Sequence, residues 1–301
     1  MLHVVHHPGY VSPAPAGSRF RFDKYGLVME SLRESGEIFT LHESVPMPRE
    51  WIEAVHTPSY VHEVLTQNVP REKERRIGFP VTEHVARRSL LSSGGTWLAG
   101  KLALEHGYAA NSAGGSHHAH ADSGAGYCVF NDLAIAANRL ITEGDARRIL
   151  ILDLDVHQGD GTAALTAERN DIFTLSLHAE RNFPVRKAIS SRDIALPDGL
   201  DDNGYMEVLS RALPAVLDDF APDLILYQAG IDVHAQDKLG RLALSDAGLA
   251  ARDGFVRDQG SARGIPIAST MGGGYGDDRM AIARRHVATM LTLANRALLY
   301  R

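Results

Sequence analysis

The chain has 301 residues, 44% hydrophobic and 23% charged, enough to bury one large α/β domain or two smaller ones and too apolar for a disordered chain. A net charge of -6 and a pI near 6.2 give no electrostatic reason to expect nucleic acid or an anionic membrane as partner, and mildly favour a basic peptide. The single cysteine, Cys128, excludes an internal disulfide framework and a multi-cysteine zinc cage.

The N-terminus, Met1 to Pro8, has no basic stretch followed by a long apolar one, and no apolar run reaches membrane-spanning length. A cytoplasmic protein is expected. Short aliphatic or β-branched runs then recur at Leu2 to His6, Tyr108 to Ser112, Arg148 to Asp155, Asp171 to Leu177, Leu224 to Ala229 and Pro266 to Thr270. Helical spacing separates them, as in Met206, Leu209, Leu213, Val216, Leu217 and Phe220, with Asn203 as the expected N-cap and Pro214 an expected kink. Strands alternating with helices predict one open, doubly wound, mostly parallel sheet with helices on both faces. With no repeat, low-complexity tract or linker, a single domain over residues 1–301 is expected.

Open α/β sheets bind ligands beyond the carboxyl ends of their strands. The chemically unusual residues fall there: Gly114-Gly115-Ser116-His117-His118, Asp153 to Asp160, Ile231-Asp232, and Gly272-Gly273-Gly274-Tyr275.

If strand geometry persists, Asp153, Asp155 and His157 share one face. Asp-x-Asp at a strand end also serves magnesium binding, helix capping or pairing with arginine. The added imidazole favours zinc, which accepts mixed nitrogen and oxygen ligands, over an oxygen-only magnesium site. Asp232 would complete three ligands and leave a fourth position for water. His117 and His118 beside that water could move protons near neutral pH, with Asp153 and Asp160 each available to hold one imidazole in its tautomer. His120 is expected at a loop edge without chemistry. A lone Gly-Gly-Gly-Tyr reads first as a turn aromatic packed on the core, but next to a metal Tyr275 becomes a donor to an oxyanion.

Together with Gly126-Tyr127-Cys128-Val129-Phe130-Asn131-Asp132 and Ala229-Gly230-Ile231-Asp232, these segments, in this order, resemble the zinc-dependent histone deacetylases and acetylpolyamine amidohydrolases. The stretches Ser18 to Tyr25, Val55 to Val61, Arg76 to Pro80, Gly94 to Thr96 and Gly240 to Ser245 resemble the class IV branch and its bacterial relatives. The resemblance implies one Zn2+ per subunit on Asp155, His157 and Asp232, and His118 as general base and acid paired with Asp160. It implies His117 as its electrostatic neighbour paired with Asp153, and Tyr275 on the scissile carbonyl. It further implies substrate contacts at Gly126, Tyr127, Phe183, Leu239 and Gly273, and a structural K+ near Asp153, Asp155 and Ser176.

The implied activity is hydrolysis of an acyl-amine, foremost acyl-lysine in a peptide or protein carrying acetyl or a longer fatty acyl group. Tyr127 stands where many deacetylases carry Phe. The segment Asp237-Lys238-Leu239-Gly240 lacks the acidic gatekeeper of polyamine deacetylases, and Lys238 at a rim would repel a polycation. The alternatives are a small-molecule amidohydrolase such as an acetylpolyamine deacetylase, a dimanganese ureohydrolase-like enzyme, and a degenerate acyl-lysine binding module. Cys128 reads as a buried small hydrophobe. Arg71, Lys73, Arg75 and Arg76 read as a solvated face. Neither the full phosphate-loop fingerprint nor a Gly-x-Ser-x-Gly elbow is present.

Overall fold

The computed structural model describes residues 1–12 and 20–295, so Ser18 and Arg19 of the first class IV-like stretch lie outside the described residues. Eight strands form one all-parallel sheet: β1 (Leu2–His6), β2 (Phe39–Glu43), β3 (Tyr108–Asn111), β4 (Ile149–Asp153), β5 (Ile172–Ala179), β6 (Arg192–Leu196), β7 (Leu224–Gly230) and β8 (Ile267–Gly272). Their order is β2-β1-β3-β8-β7-β4-β5-β6. The helices among the described residues are α1 (Lys24–Glu34), α2 (Arg49–Glu53), α3 (Pro58–Leu65), α4 (Arg71–Ile77), α5 (Glu83–His106), α6 (Asp132–Thr142), α7 (Asp160–Thr166), α8 (Asp202–Phe220), α9 (Asp246–Arg263) and α10 (Arg279–Leu293).

The sheet is covered on both faces, and the two-residue period of its strands shows how. In β4, Ile149 and Ile151 pack with Leu133, Ala137 and Leu140 of α6, while Leu150 and Leu152 face Leu209, Leu213 and Val256 of α8 and α9. Every residue of β4 and β7 is buried, which is why both read as unbroken apolar runs. The six predicted runs are all strands. The two unpredicted strands, β2 and β6, are the sheet edges, and their partly exposed sequences Phe-Thr-Leu-His-Glu and Arg-Asp-Ile-Ala-Leu carry no continuous apolar signal.

One local expectation is corrected. The N-cap of α8 is Asp201, whose Oδ1 accepts from Gly204 N at 3.0 Å, so Asn203 lies inside the first turn. The helix runs as one element from Asp202 to Phe220 with Pro214 inside it, because its burial against the sheet outweighs one missing amide. No helix of the described residues is long and apolar enough to cross a membrane.

Candidate active site

Four central strands, adjacent in the order β3-β8-β7-β4, point their carboxyl ends the same way and deliver segments distant in sequence to one place. They bring there Gly114 to His118 after β3, Gly272 to Tyr275 after β8, Asp232 after β7, and Asp155 with His157 after β4. The result is a cavity of about 480 Å³ lined by all of these except Gly274.

Strand geometry does not carry Asp155 and His157 there, because β4 ends at Asp153. A pair of side-chain-capped turns does so. Asp153 Oδ1 accepts from Asp155 N at 3.1 Å, and Asp155 Oδ1 accepts from His157 N at 2.9 Å. The imidazole of His157 folds back so that Nδ1 lies 2.9 Å from Asp155 Oδ1 and 3.2 Å from Asp232 Oδ2. Asp232 Oδ1 accepts from Val156 N at 3.0 Å, which locks the β7 loop to the β4 loop.

The histidine loop is held from below. Asp132 accepts from Ser116 N at 2.6 Å and Gly115 N at 3.0 Å, and Gln228 Nε2 donates to Gly115 O at 2.9 Å. His117 Nδ1 meets Asp153 Oδ2 at 2.7 Å and His118 Nδ1 meets Asp160 Oδ1 at 2.6 Å, the two pairings that the resemblance implies. Their rings lie 4.0 Å apart between centroids, and both are buried.

The residues that the resemblance implies as substrate contacts all line this cavity. Phe183 stands edge-on to His118 at 4.8 Å, and Tyr127 lies 5.8 Å from the Tyr275 ring. Tyr127 holds φ +68, a left-handed conformation costing on the order of 1 kcal/mol, kept in place by its amide donating to Ile77 O at 2.7 Å. Gly126 precedes it at φ +52 against the His118 ring. Gly273, at φ +59, is required by close approach, since a Cβ there would collide with the Asp232 carboxyl. The amides of Leu239 and Tyr275 both donate to Asp237, at 2.8 and 2.6 Å, which ties the two loops together.

Burial and mutual charge separate the two histidines. Burial opposes the imidazolium of His117, but the Asp153 and Asp155 carboxylates outweigh it and raise its pKa to about 9. His118 is pushed down to about 3, by burial and then by the His117 charge. One ring thus holds its proton and the other is a free base. Burial keeps the Tyr275 phenol protonated, well above its ordinary range.

Asp155, His157 and Asp232 are the one group among the described residues whose ligand atoms lie close enough to hold a metal ion, all within 4.8 Å of one another. The donor set fits a divalent cation. Asp232 Oδ2 is buried and accepts no hydrogen bond, and burial together with the Asp155 charge raises Asp232 to about 7. Two buried carboxylates crowded on one imidazole are the environment that a cation stabilises.

Several expectations are modified. His120 is part of the site's framework, with Nε2 3.1 Å from Asp160 Oδ2 and its backbone carbonyl 2.8 Å from His56 Nδ1. Arg75 and Arg76 line the cavity, so the α4 basic cluster is only partly a solvated face. Lys238 is paired with Asp277 at 2.6 Å. Ser176 stands opposite Asp153 in the β4–β5 register, with Oγ 2.9 Å from His178 Nδ1. Cys128 is buried, and burial raises its thiol far above the usual range, as expected of a packing residue.

Three supporting groups were not anticipated. Buried Lys24 donates to Gly273 O at 2.8 Å, with Nζ 5.9 Å from the Tyr275 ring centroid. Buried Arg252 donates to Gly230 O at 2.5 Å and Leu154 O at 3.3 Å, clamping the ends of β7 and β4. Asn182 Nδ2 stands 3.4 Å from His157 Nε2 and donates to Leu239 O at 2.6 Å. Arg252 was visible only as a charged residue inside an amphipathic helix and Lys24 only as part of the Ser18 to Tyr25 stretch, while Asn182 carried no signal.

Comparison with known proteins places the chain in a family. An uncharacterized protein of the cyanobacterium Picosynechococcus is 45% identical over 94% of this chain and 95% of its own length. A probable deacetylase of Methanothermobacter thermautotrophicus is 32% identical over 70% of this chain and 65% of its own. Histone deacetylase 2 of Arabidopsis thaliana is 33% identical over 60% of this chain, a match spanning about half (48%) of the plant protein. The crystal structure of the HDA15 HD domain superposes with a TM-score of 0.83 over 98% of this chain and 91% of its own at 20% identity, a likeness of fold. Residues 18–291 match the histone deacetylase domain, and the chain belongs to that family.

Proposed function

We propose that the protein is a zinc-dependent, single-domain deacylase that hydrolyses an acyl-amine amide bond, foremost acyl-lysine, and acts in the cytoplasm. The observation that carries this reading is the buried Asp155, His157 and Asp232 group beside two carboxylate-held histidines in a cavity that Tyr275 also lines. The three would hold the ion, which when bound would supply a Lewis acid for the amide oxygen and lower the pKa of the attacking water.

The chain's own groups do the rest. His118, neutral and fixed through Nδ1 by Asp160, takes the proton of the attacking water at Nε2 and returns it to the leaving amine. His117, held by Asp153, keeps its proton and contributes positive charge near the developing oxyanion. The Tyr275 hydroxyl donates a hydrogen bond to that oxyanion. Tyr127 and Phe183 form the aromatic walls, and Gly126, Leu239 and Gly273 complete the contacts to the acyl-lysine stem. A structural K+ near Asp153, Asp155 and Ser176, and placement in the class IV branch, rest on sequence resemblance.

A second metal is not supported. Asp153 and Asp160, the other carboxylates at hand, are engaged by His117 and by His118 with His120, which argues against the dimanganese reading. A pure binding module has no use for a proton-free histidine fixed by a carboxylate. The test is metal content per subunit together with initial rates on one lysine peptide carrying acetyl, octanoyl or myristoyl, with and without chelator. One zinc and chelator-sensitive release of the acyl group are expected. Zinc-loaded protein that turns over none of the three would reject the acyl-lysine assignment.

A further inference from the structure

Setting aside the metal-ligand candidates Asp155 and Asp232, the cavity is lined by six Lys or Arg side chains and no Asp or Glu. Lys24 and Arg88 are buried within it, and Arg75, Arg76, Arg181 and Arg241 are exposed. This runs against the chain's overall charge of -6.

Several nearby acids are committed elsewhere, and the exposed Glu72 and Glu180, close to these arginines in the chain, neither line the cavity nor form an ion pair with them. Asp198 pairs with Arg241 at 3.1 Å, Asp277 with Lys238 at 2.6 Å and Glu63 with Lys73 at 2.7 Å. Glu74 accepts from Val81 N at 2.7 Å, and Asp237 accepts from the amides of Leu239, Gly240 and Tyr275. Among the described residues, no ion pair or side-chain hydrogen bond engages the guanidinium of Arg75, Arg76 or Arg181. Residues 13–19 and 296–301 contain no Asp or Glu that could neutralise them. Arg75 and Arg76 occupy the last turn of α4, where a cation is favoured by the helix dipole. Arg181, on a turn beyond β5, has no such reason to be there.

Three unneutralised guanidinium groups at a concave mouth repel a polyamine or a lysine-rich tail and attract carboxylates over roughly one Debye length, about 10 Å at ordinary ionic strength. A polynucleotide would meet the net negative charge of the whole molecule beyond that mouth. We propose that the acyl-amine taken by this site is carried on a carboxylate-bearing scaffold, either acidic residues flanking an acyl-lysine or a small acyl-amine with its own carboxylate. The inference rests on the acyl-amine reading of the cavity. It also reverses the mild preference for a basic peptide that net charge alone suggests.

The test uses zinc-loaded protein carrying Tyr275→Phe, so that bound peptide survives. Rhodamine-labelled peptides with a central acetyl-lysine flanked by Asp, Gln or Arg are titrated by fluorescence anisotropy. The Asp peptide is expected to bind at least about tenfold more tightly than the Arg peptide at 50 mM NaCl, with the gap closing near 0.5 M. The combined Arg75→Glu, Arg76→Glu and Arg181→Glu variant, altered only at exposed positions, is expected to invert the order. Displacement by free Nε-acetyl-lysine but not by its methyl ester assigns the carboxylate to a small molecule; a preference confined to the flanking residues assigns it to a polypeptide. Equal affinities, tighter binding of the Arg peptide, or no detectable binding of the Asp peptide at 1 mM overturns the proposal. Turnover by the unaltered protein is measured separately. Its absence with the binding order intact counts against the deacylase reading and supports the charge preference.

Discussion

Replacing Arg252 with Met tests how the scaffold holds the candidate metal site. Arg252 is fully buried on α9, and its Nε lies 2.9 Å from Asp253 Oδ1. Its Nη1 donates to Gly230 O and Leu154 O, the carbonyls just before the segments that carry Asp232 and Asp155. Methionine fills similar volume but leaves two buried carbonyls without that donor and Asp253 without its cation. Breaking a buried pair from one side costs about 3–5 kcal/mol. The lower end is expected, because Asp253 keeps the Tyr227 hydroxyl at 2.6 Å and the Thr289 hydroxyl at 2.7 Å. For a chain of 301 residues that corresponds to a fall in Tm of roughly 5 °C. Urea unfolding at pH 7 gives the stability, and competition with a chromophoric zinc chelator gives metal affinity, expected to weaken about 10–100-fold as the strand ends lose their clamp. A variant within about 1 kcal/mol of the parent with unchanged zinc affinity would refute the clamp.

Tyr275→Phe is expected to lower kcat about 10²–10³-fold with the melting temperature unchanged, since the ring contacts with Tyr127 and Lys24 remain; unchanged turnover ends the oxyanion role. Gly273→Ala is expected to abolish measurable zinc binding in equilibrium dialysis while secondary structure by circular dichroism persists, because the new methyl group occupies the place of the Asp232 carboxyl. His56 is buried and held neutral, its pKa pushed by burial down to about 4 from 6.5. The unfolded chain therefore binds more protons between those values, so this contribution to stability is complete above pH 6.5 and is lost as pH falls toward 4. His56→Gln retains a donor for His120 O and an acceptor for Asn131 N, and its loss of stability between pH 7 and pH 5 is expected to be smaller than the parent's by about 2 kcal/mol; equal losses in urea titrations would reject this account.

Where composition and periodicity act locally, the sequence alone determined the outcome. The central strands must be buried on both faces, so their apolar runs were legible, and in an all-parallel sheet the residues that follow them must gather at one edge. That was enough to bring together Asp155, His157, Asp232, His117, His118 and Tyr275. The edge strands β2 and β6 were illegible because an exposed strand needs no apolar run.

Tertiary structure decided what depends on distance between residues remote in the chain. The turns that aim Asp155 and His157 replace the expected strand alternation, because one carboxylate caps the next amide once the ladder has ended. Arg252, Lys24 and Asn182 support the site through hydrogen bonds to backbone carbonyls, which leave no mark in sequence. The charge of the cavity mouth likewise could not be read from a net charge of -6. Pairing elsewhere engages Glu63, Asp198 and Asp277, and only the fold determines which charges line the cavity and which remain without a partner.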